Sequence, residues 1–354
     1  MTMTMTMTMM NEWNGAASLL CVQFGTIGDL LACTPALRAL RAQCRGRRVT
    51  LLASPAGAAF GPYLPDADAV LAYQAPWLDH EACTGHLDRI ATLAAQAFDG
   101  AVIFTRPGES ALPAALLCRL AGIPLRAAWC RERPFQLLTH PMADPEPGAM
   151  LRHPVQRQLD LAGRLGAHIA DERLAFLPSP RDMAAVRARL QAAGIDPARR
   201  WLAVHPGAGA MARRYPQQVW RDLLRALQEN IGCPLVLTGG VHEKALIDAI
   251  GSAPRVRAAS FAGELDIGEQ GALLAQASAL ISTSAETTCL AAAVGTPAVL
   301  VHALTHPQHT PWRVSARMVG LADPPVGKLA LAPVFDAVRG LLRQTEAQGK
   351  PMNR

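Results

Sequence analysis

Three times in this chain of 354 residues a short β-rich run stops at a glycine turn and a stretch with helical spacing follows. Ser18–Phe24 runs into Gly25 and then Leu30–Gln43. Trp201–His205 runs into Pro206-Gly207 and, further on, Pro216–Glu229. Pro234–Thr238 runs into Gly239-Gly240 and then Glu243–Ile250. A helix that follows a strand carries the chain back to where the strand began, so the next strand lies parallel to the first. Strands expected at Arg48–Ser54, Ala69–Tyr73, Ala101–Thr105, Ala279–Ser282 and Ala298–His302 extend the alternation. So do helices expected at His86–Phe98, Ser110–Leu120, Gly268–Ala277 and Thr287–Val294. The fold class is α/β, with doubly wound parallel sheets.

Chain length suggests two domains at roughly 150 residues each. The alternation weakens from Arg131 to Pro147, where four prolines mark an irregular segment. A helix near Val155–Leu165 then leads to Leu177-Pro178-Ser179-Pro180, where the boundary is expected. The division is a disordered leader over 1–15, a Rossmann-like acceptor-side domain over 16–178 and a nucleotide-sugar-binding Rossmann-like domain over 179–325. A final amphipathic helix within 326–346 is expected to pack back toward the N-terminal domain.

Half the residues are hydrophobic and 18% are charged, which excludes wholesale disorder. The longest apolar stretches, such as Ala16–Phe24, are too short to span a bilayer. Met1 to Met10 alternates Met and Thr, with neither a charged nor an apolar region of a secretory signal. The eight cysteines form no C-x-x-C pair and fall mostly in apolar segments, which points to buried reduced thiols in a cytoplasmic protein. A net charge of +6 suits an anionic partner.

Four segments can carry chemistry. In the first, Gly25, Thr26 and Gly28 form a turn ahead of Asp29 at a helix start, where backbone N–H groups and a positive helix end meet an anion. The spacing is neither that of a P-loop nor that of a dinucleotide fingerprint, and Asp29 also reads as an ordinary first-turn acid. The second runs from His205 through Gly207 to Arg213, Arg214 and Pro216, and joins small residues to a guanidinium pair suited to a pyrophosphate. The third, Gly239 to Glu243, places a carboxylate where other nucleotide folds hold a ribose. The fourth, Ser282 to Cys289, includes Ser284, Ala285, Glu286, Thr287 and Thr288 and clusters hydroxyls at a helix N-terminus. Asp66-Ala67-Asp68 reads as turn chemistry rather than a metal site, and no metal site is expected. His302, His306 and His309 form a loose cluster without a ligating frame.

Taken in order, these segments resemble glycosyltransferase family 9, the ADP-heptose:lipopolysaccharide heptosyltransferases. The matching stretches include the Gly-Asp turn with Thr34-Pro35-Ala36-Leu37, the His-Pro-Gly-Ala loop ending in Tyr215-Pro216, and the Thr-Gly-Gly…Glu turn. Phe261-Ala262-Gly263 and Leu290 to Pro297 complete the set, so the resemblance covers roughly Ser18 to Arg343. It implies a GT-B fold and an inverting, metal-independent transfer from a nucleoside diphosphate sugar, most often ADP-linked, with no further cofactor. Asp29 matches the family's general base, Arg213 its phosphate-neutralising lysine and Glu243 its ribose ligand, while Leu265 falls near the residue that packs on the nucleobase. In one place the chain departs from the pattern: Ser284, Glu286 and Cys289 stand where the family has Asp, Gly and His. The partners implied are a nucleotide sugar and a glycan or glycolipid acceptor, with peripheral contact at the cytoplasmic face of the inner membrane and no nucleic acid. The rival readings are a non-catalytic nucleotide-sugar-binding protein and an epimerase or hydrolase on the same fold.

Overall fold

The computed structural model describes residues 11–78, 85–148, 150–207, 216–302, 310–320 and 331–347. The chain divides into two compact units, 1–175 and 176–354, a little ahead of the boundary expected after residue 178. Each unit holds a six-stranded sheet in which every pairing is parallel.

The first sheet contains β1 (Ser18–Gln23), β2 (Arg48–Ala53), β3 (Ala69–Ala72), β4 (Gly100–Ile103), β5 (Leu125–Cys130) and β6 (His140–Ala143). Their spatial order is β3-β2-β1-β4-β5-β6. Helices α1 (Ile27–Gln43), α2 (His86–Ala95), α3 (Leu112–Leu120) and α4 (Pro154–Arg164) accompany it. A sheet covered on both faces needs strands that are apolar throughout, and all six residues of β1 are buried. Leu20 and Val22 share one core with Leu93 of α2 and Ala115 and Leu117 of α3.

The second sheet contains β7 (Leu202–His205), β8 (Leu235–Leu237), β9 (Ala258–Ser260), β10 (Ala279–Ser282), β11 (Ala298–His302) and β12 (Ala316–Gly320), in the order β12-β11-β10-β7-β8-β9. Its helices are α5 (Pro180–Ala192), α6 (Gln217–Ile231), α7 (Lys244–Gly251), α8 (Ile267–Gln276), α9 (Ala285–Ala293) and α10 (Ala332–Ala347). In each sheet the winding reverses once, between β1 and β4 and between β7 and β10. Doubly wound sheets open a crevice at that reversal, beyond the carboxyl ends of the strands. The Gly25–Asp29 turn leaves β1 there, and the segments after β7 and β10 leave the second sheet there.

Several expectations are corrected. Residues 11–15 of the supposed leader are helical, and Trp13 is fully buried. A Cβ on Gly100 would come within 2.8 Å of the Trp13 ring, and Arg47 donates to the Trp13 carbonyl. Met1–Met10 lie outside the described residues. The Arg131–Pro147 segment holds β6, whose position at the sheet edge tolerates Pro141. The proline-bracketed stretch expected as the boundary also holds the start of α5 at Pro180. Ser179 Oγ accepts from Asp182 N–H at 3.1 Å and Asp182 Oδ2 from Ser179 N–H at 2.9 Å, a reciprocal cap. Val334, Val338 and Leu341 of the last helix lie in the second unit's core with Leu224 and Val299, where the apolar stripe of α10 covers the sheet beside β11 and β12.

Asp66 accepts a two-pronged bond from Arg38, and Asp68 accepts from Val49 N–H and pairs with Arg41. Both thus serve the turn. Cys21, Cys33, Cys118 and Cys130 are buried free thiols, and burial pushes Cys21 and Cys118 up to about 12. His306 and His309 lie outside the described residues. Among the described residues no helix is long and apolar enough to cross a membrane.

Candidate active site

In the first unit the site grows from Gln23, the buried polar residue that ends β1. Its Oε1 accepts from Gly25 N–H at 2.7 Å and fixes the turn. Thr26 caps α1, and its N–H and Oγ1–H donate to Asp29 Oδ2 at 2.8 and 3.1 Å. The carboxylate lies so close to Gly25 that a Cβ there would overlap Oδ2 and stand 2.8 Å from Cγ. Asp29 therefore performs the capping task that its position suggests. All its bonds go to Oδ2, so Oδ1 has no partner among the described residues. Gly28 sits in the first turn of α1.

In the second unit three adjacent strand ends meet: β10, β7 and β8. His205, at the end of β7, places Nε2 3.3 Å from Glu243 Oε2 and Nδ1 3.3 Å from Thr287 Oγ1. A single tautomer, with the proton on Nε2, satisfies both contacts. Glu243 also accepts from Gly240 N–H at 3.0 Å. Its carboxylate fills the space that a side chain on Gly207 would need: a Cβ there would lie 2.6 Å from Oε2 and closer still to Oε1 and Cδ. Gly239 is similarly tight, with Glu243 Oε2 2.9 Å from its hypothetical Cβ. Three segments distant in sequence are thereby locked around one imidazole.

The hydroxyls of the run from Ser282 to Thr288 make structural bonds. Thr283 Oγ1 donates to the carbonyls of Pro206 and Gly207 at 3.2 and 2.9 Å. Ser284 Oγ accepts from Thr287 N–H at 3.2 Å, capping α9, and Thr288 donates to the Ser284 carbonyl at 2.6 Å. Ala285 opens the helix, and Glu286 follows as an exposed acid that makes no bond among the described residues. A carboxylate in that first turn stabilises the helix end and competes with any incoming anion. Leu265, half-buried, lies in the turn where Gly263 N–H donates to the Gly239 carbonyl at 2.9 Å. Arg213 and Arg214 fall outside the described residues.

Sequence reasoning singled out His205, Glu243 and Thr287 separately and did not foresee that they touch. It passed over Gln23, and it placed Thr283 in the hydroxyl run without the structural role the residue takes. A lone glutamine closing an otherwise apolar strand, one residue before the turn, was the available signal for the first.

The crevice at the winding reversal of a doubly wound sheet takes many kinds of ligand, and comparison with known proteins narrows the choice. The model of glycosyltransferase family 9 (heptosyltransferase) matches residues 89–329. The chain belongs to glycosyltransferase family 9. It is a glycosyltransferase, with the two Rossmann-like units of the GT-B fold. A family 9 glycosyltransferase from Veillonella parvula superposes with a TM-score of 0.79 at 15% identity, covering 93% of this chain and 97% of the other. The ADP-heptose lipopolysaccharide heptosyltransferase II of E. coli gives 0.74 at 20% identity, covering 93% and 99%. The E. coli heptosyltransferase WaaC with ADP gives 0.66 at 17% identity, covering 95% and 99%. No match was found among curated protein sequences.

Proposed function

We propose that this glycosyltransferase moves a sugar, with inversion and without a metal ion, from a nucleoside diphosphate sugar to an acceptor hydroxyl in surface-glycan synthesis such as that of lipopolysaccharide. Asp29 Oδ1 takes the acceptor proton as the acceptor oxygen bonds to the anomeric carbon. The bond from that carbon to the diphosphate breaks on the opposite side, and the nucleoside diphosphate departs with the electron pair. Glu243, held by His205 and Gly240, receives the ribose hydroxyls, and Leu265 packs against the base. Arg213, aided by Arg214, neutralises the leaving diphosphate. Ser284 and Thr287 face the sugar hydroxyls in place of the family's acid.

The observation that carries this reading is the divided role of Asp29: one oxygen held by its cap, the other open. An ADP-linked donor is supported by the ADP and ADP-2-deoxy-2-fluoro heptose bound in the WaaC structures. The exposed Glu286 in place of glycine favours a donor sugar that differs from heptose in its hydroxyl pattern. Asp29→Asn keeps an oxygen for the Thr26 cap but cannot accept the proton. It is expected to lower the transfer rate roughly 10²–10⁴-fold while leaving nucleoside diphosphate affinity within about twofold. A mutant that transfers sugar at the native rate rejects Asp29 as the base. Donor consumption without acceptor would instead favour the epimerase or hydrolase reading.

A further inference from the structure

Helix α3 is apolar on both sides. Ala114, Ala115, Leu117 and Cys118 face the core, yet the outward positions are also aliphatic: Leu116 is 45% and Leu120 59% exposed. Arg119 is its only charged residue. A helix that is hydrophobic all round is normally buried, yet among the described residues Leu116 and Leu120 stay open to solvent on the outer face. The chain from β5 to β6 runs alongside. Arg119 Nη1 donates to the Gln136 carbonyl at 2.8 Å, which ties that segment to the helix.

At the tip of that segment Phe135 is 71% exposed. Phe135 and Gln136 take positive φ values of 42° and 65°, conformations that side chains other than glycine seldom adopt. The Arg133 guanidinium lies 5.2 Å from the Phe135 ring centroid. Arg131 and Arg133 are exposed and form no ion pair among the described residues, and Glu132 is the one acid between them. Apolar side chains are thus presented with a surplus of cations around them.

We propose that this face docks on a bilayer containing anionic phospholipid, with Phe135, Leu116 and Leu120 entering the headgroup boundary and Arg119, Arg131 and Arg133 meeting the lipid phosphates. Aromatic and aliphatic groups framed by arginine are the composition that lies in a membrane interface, and the unpaired cations complement an anionic surface. A second copy of the chain would bring like charges together at the same face. The inference deepens the surface-glycan reading by holding the enzyme where a lipid-linked acceptor is found. It depends on no step of sugar transfer.

Flotation of the full chain with phosphatidylcholine vesicles, with and without 30 mol% phosphatidylglycerol (about 30%, a choice that gives a strong surface potential), tests it. Binding is expected only to the anionic vesicles and should fall as salt is raised. Arg131→Gln with Arg133→Gln is expected to weaken partitioning roughly 30-fold, from about 1 kcal/mol per arginine at the surface. Phe135→Ser and Leu120→Ser should each abolish retention while leaving the melting temperature unchanged. Native protein that stays with the soluble fraction, or variants that float like the native chain, overturn the proposal. So would a dimer in sedimentation velocity that the Phe135→Ser change dissolves. Loss of transfer activity in Asp29→Asn with vesicle binding intact would show that the two readings stand or fall separately.

Discussion

Gly207→Ala tests whether the Glu243 carboxylate is a binding group held in place by an absent side chain. A methyl group at residue 207 would stand 2.6 Å from Oε2 and closer to Oε1 and Cδ, so the carboxylate must swing away. Its 3.0 Å bond from Gly240 N–H and its 3.3 Å approach to His205 Nε2 are then lost. An intramolecular bond of this kind is worth about 1 kcal/mol, a fall of about 2–4 °C in melting temperature for a unit of this size. The larger effect falls on the ligand. A hydrogen bond from ribose to a charged acceptor is worth about 1.5–3 kcal/mol, so ADP should bind roughly 10- to 150-fold more weakly by titration calorimetry. Adenosine should lose affinity in the same proportion, since both carry the ribose. Gly240→Ala is the control: its methyl would lie 3.9 Å from Oε2, an ordinary contact, and its φ of −72° suits alanine. Native ADP affinity in Gly207→Ala, or an equal loss in both variants, refutes the assignment of Glu243.

Arg157 is fully buried and bonds both Asp144 and Glu146 at 2.6–2.8 Å. Replacing it with Met removes its bonds to two buried carboxylates and leaves them Arg152 alone as a cation, which should cost about 3–5 kcal/mol, or roughly 6–20 °C by calorimetry. Burial pushes both carboxyls up, but bonds from Arg157 and Arg152 outweigh it and hold them below the usual range. That stability is present above the ordinary carboxyl pKa and is lost as pH falls below it. The native melting temperature should therefore drop on acidification more steeply than that of Arg157→Met. Trp13→Ala should destabilise the first unit by about 3–5 kcal/mol, visible in urea unfolding, whereas a disordered leader would show no change. Iodoacetamide at pH 8 should spare Cys21 and Cys118 in the native protein, because burial pushes their thiols up to about 12, and modify them after denaturation. Rapid native alkylation of either, read by peptide mass, would contradict their burial.

The strand–turn–helix rhythm made the α/β class legible, because a strand buried on both faces must be largely apolar, as β1 is from Leu19 to Val22. The glycine turns marked where chemistry gathers, since backbone there must come close to another group. Segments without such punctuation were harder to read. β6 hid among prolines because only its place at the sheet edge makes Pro141 harmless. The start of α5 was written in Ser179-Pro180 and Asp182 but was read only as a boundary, since proline at a first helical position and proline in a loop look alike.

What the residues alone determined was the set of local parts: alternating elements, capped helix starts, and a carboxylate after each of two glycine turns. Tertiary structure decided which parts touch. That His205 lies between Glu243 and Thr287 depends on β7 standing between β8 and β10, a pairing that no local pattern encodes. The burial of Trp13 and the docking of α10 within its own unit are of the same kind. A side chain's neighbours across a sheet come from strand order, and strand order follows from how the whole chain buries its apolar faces.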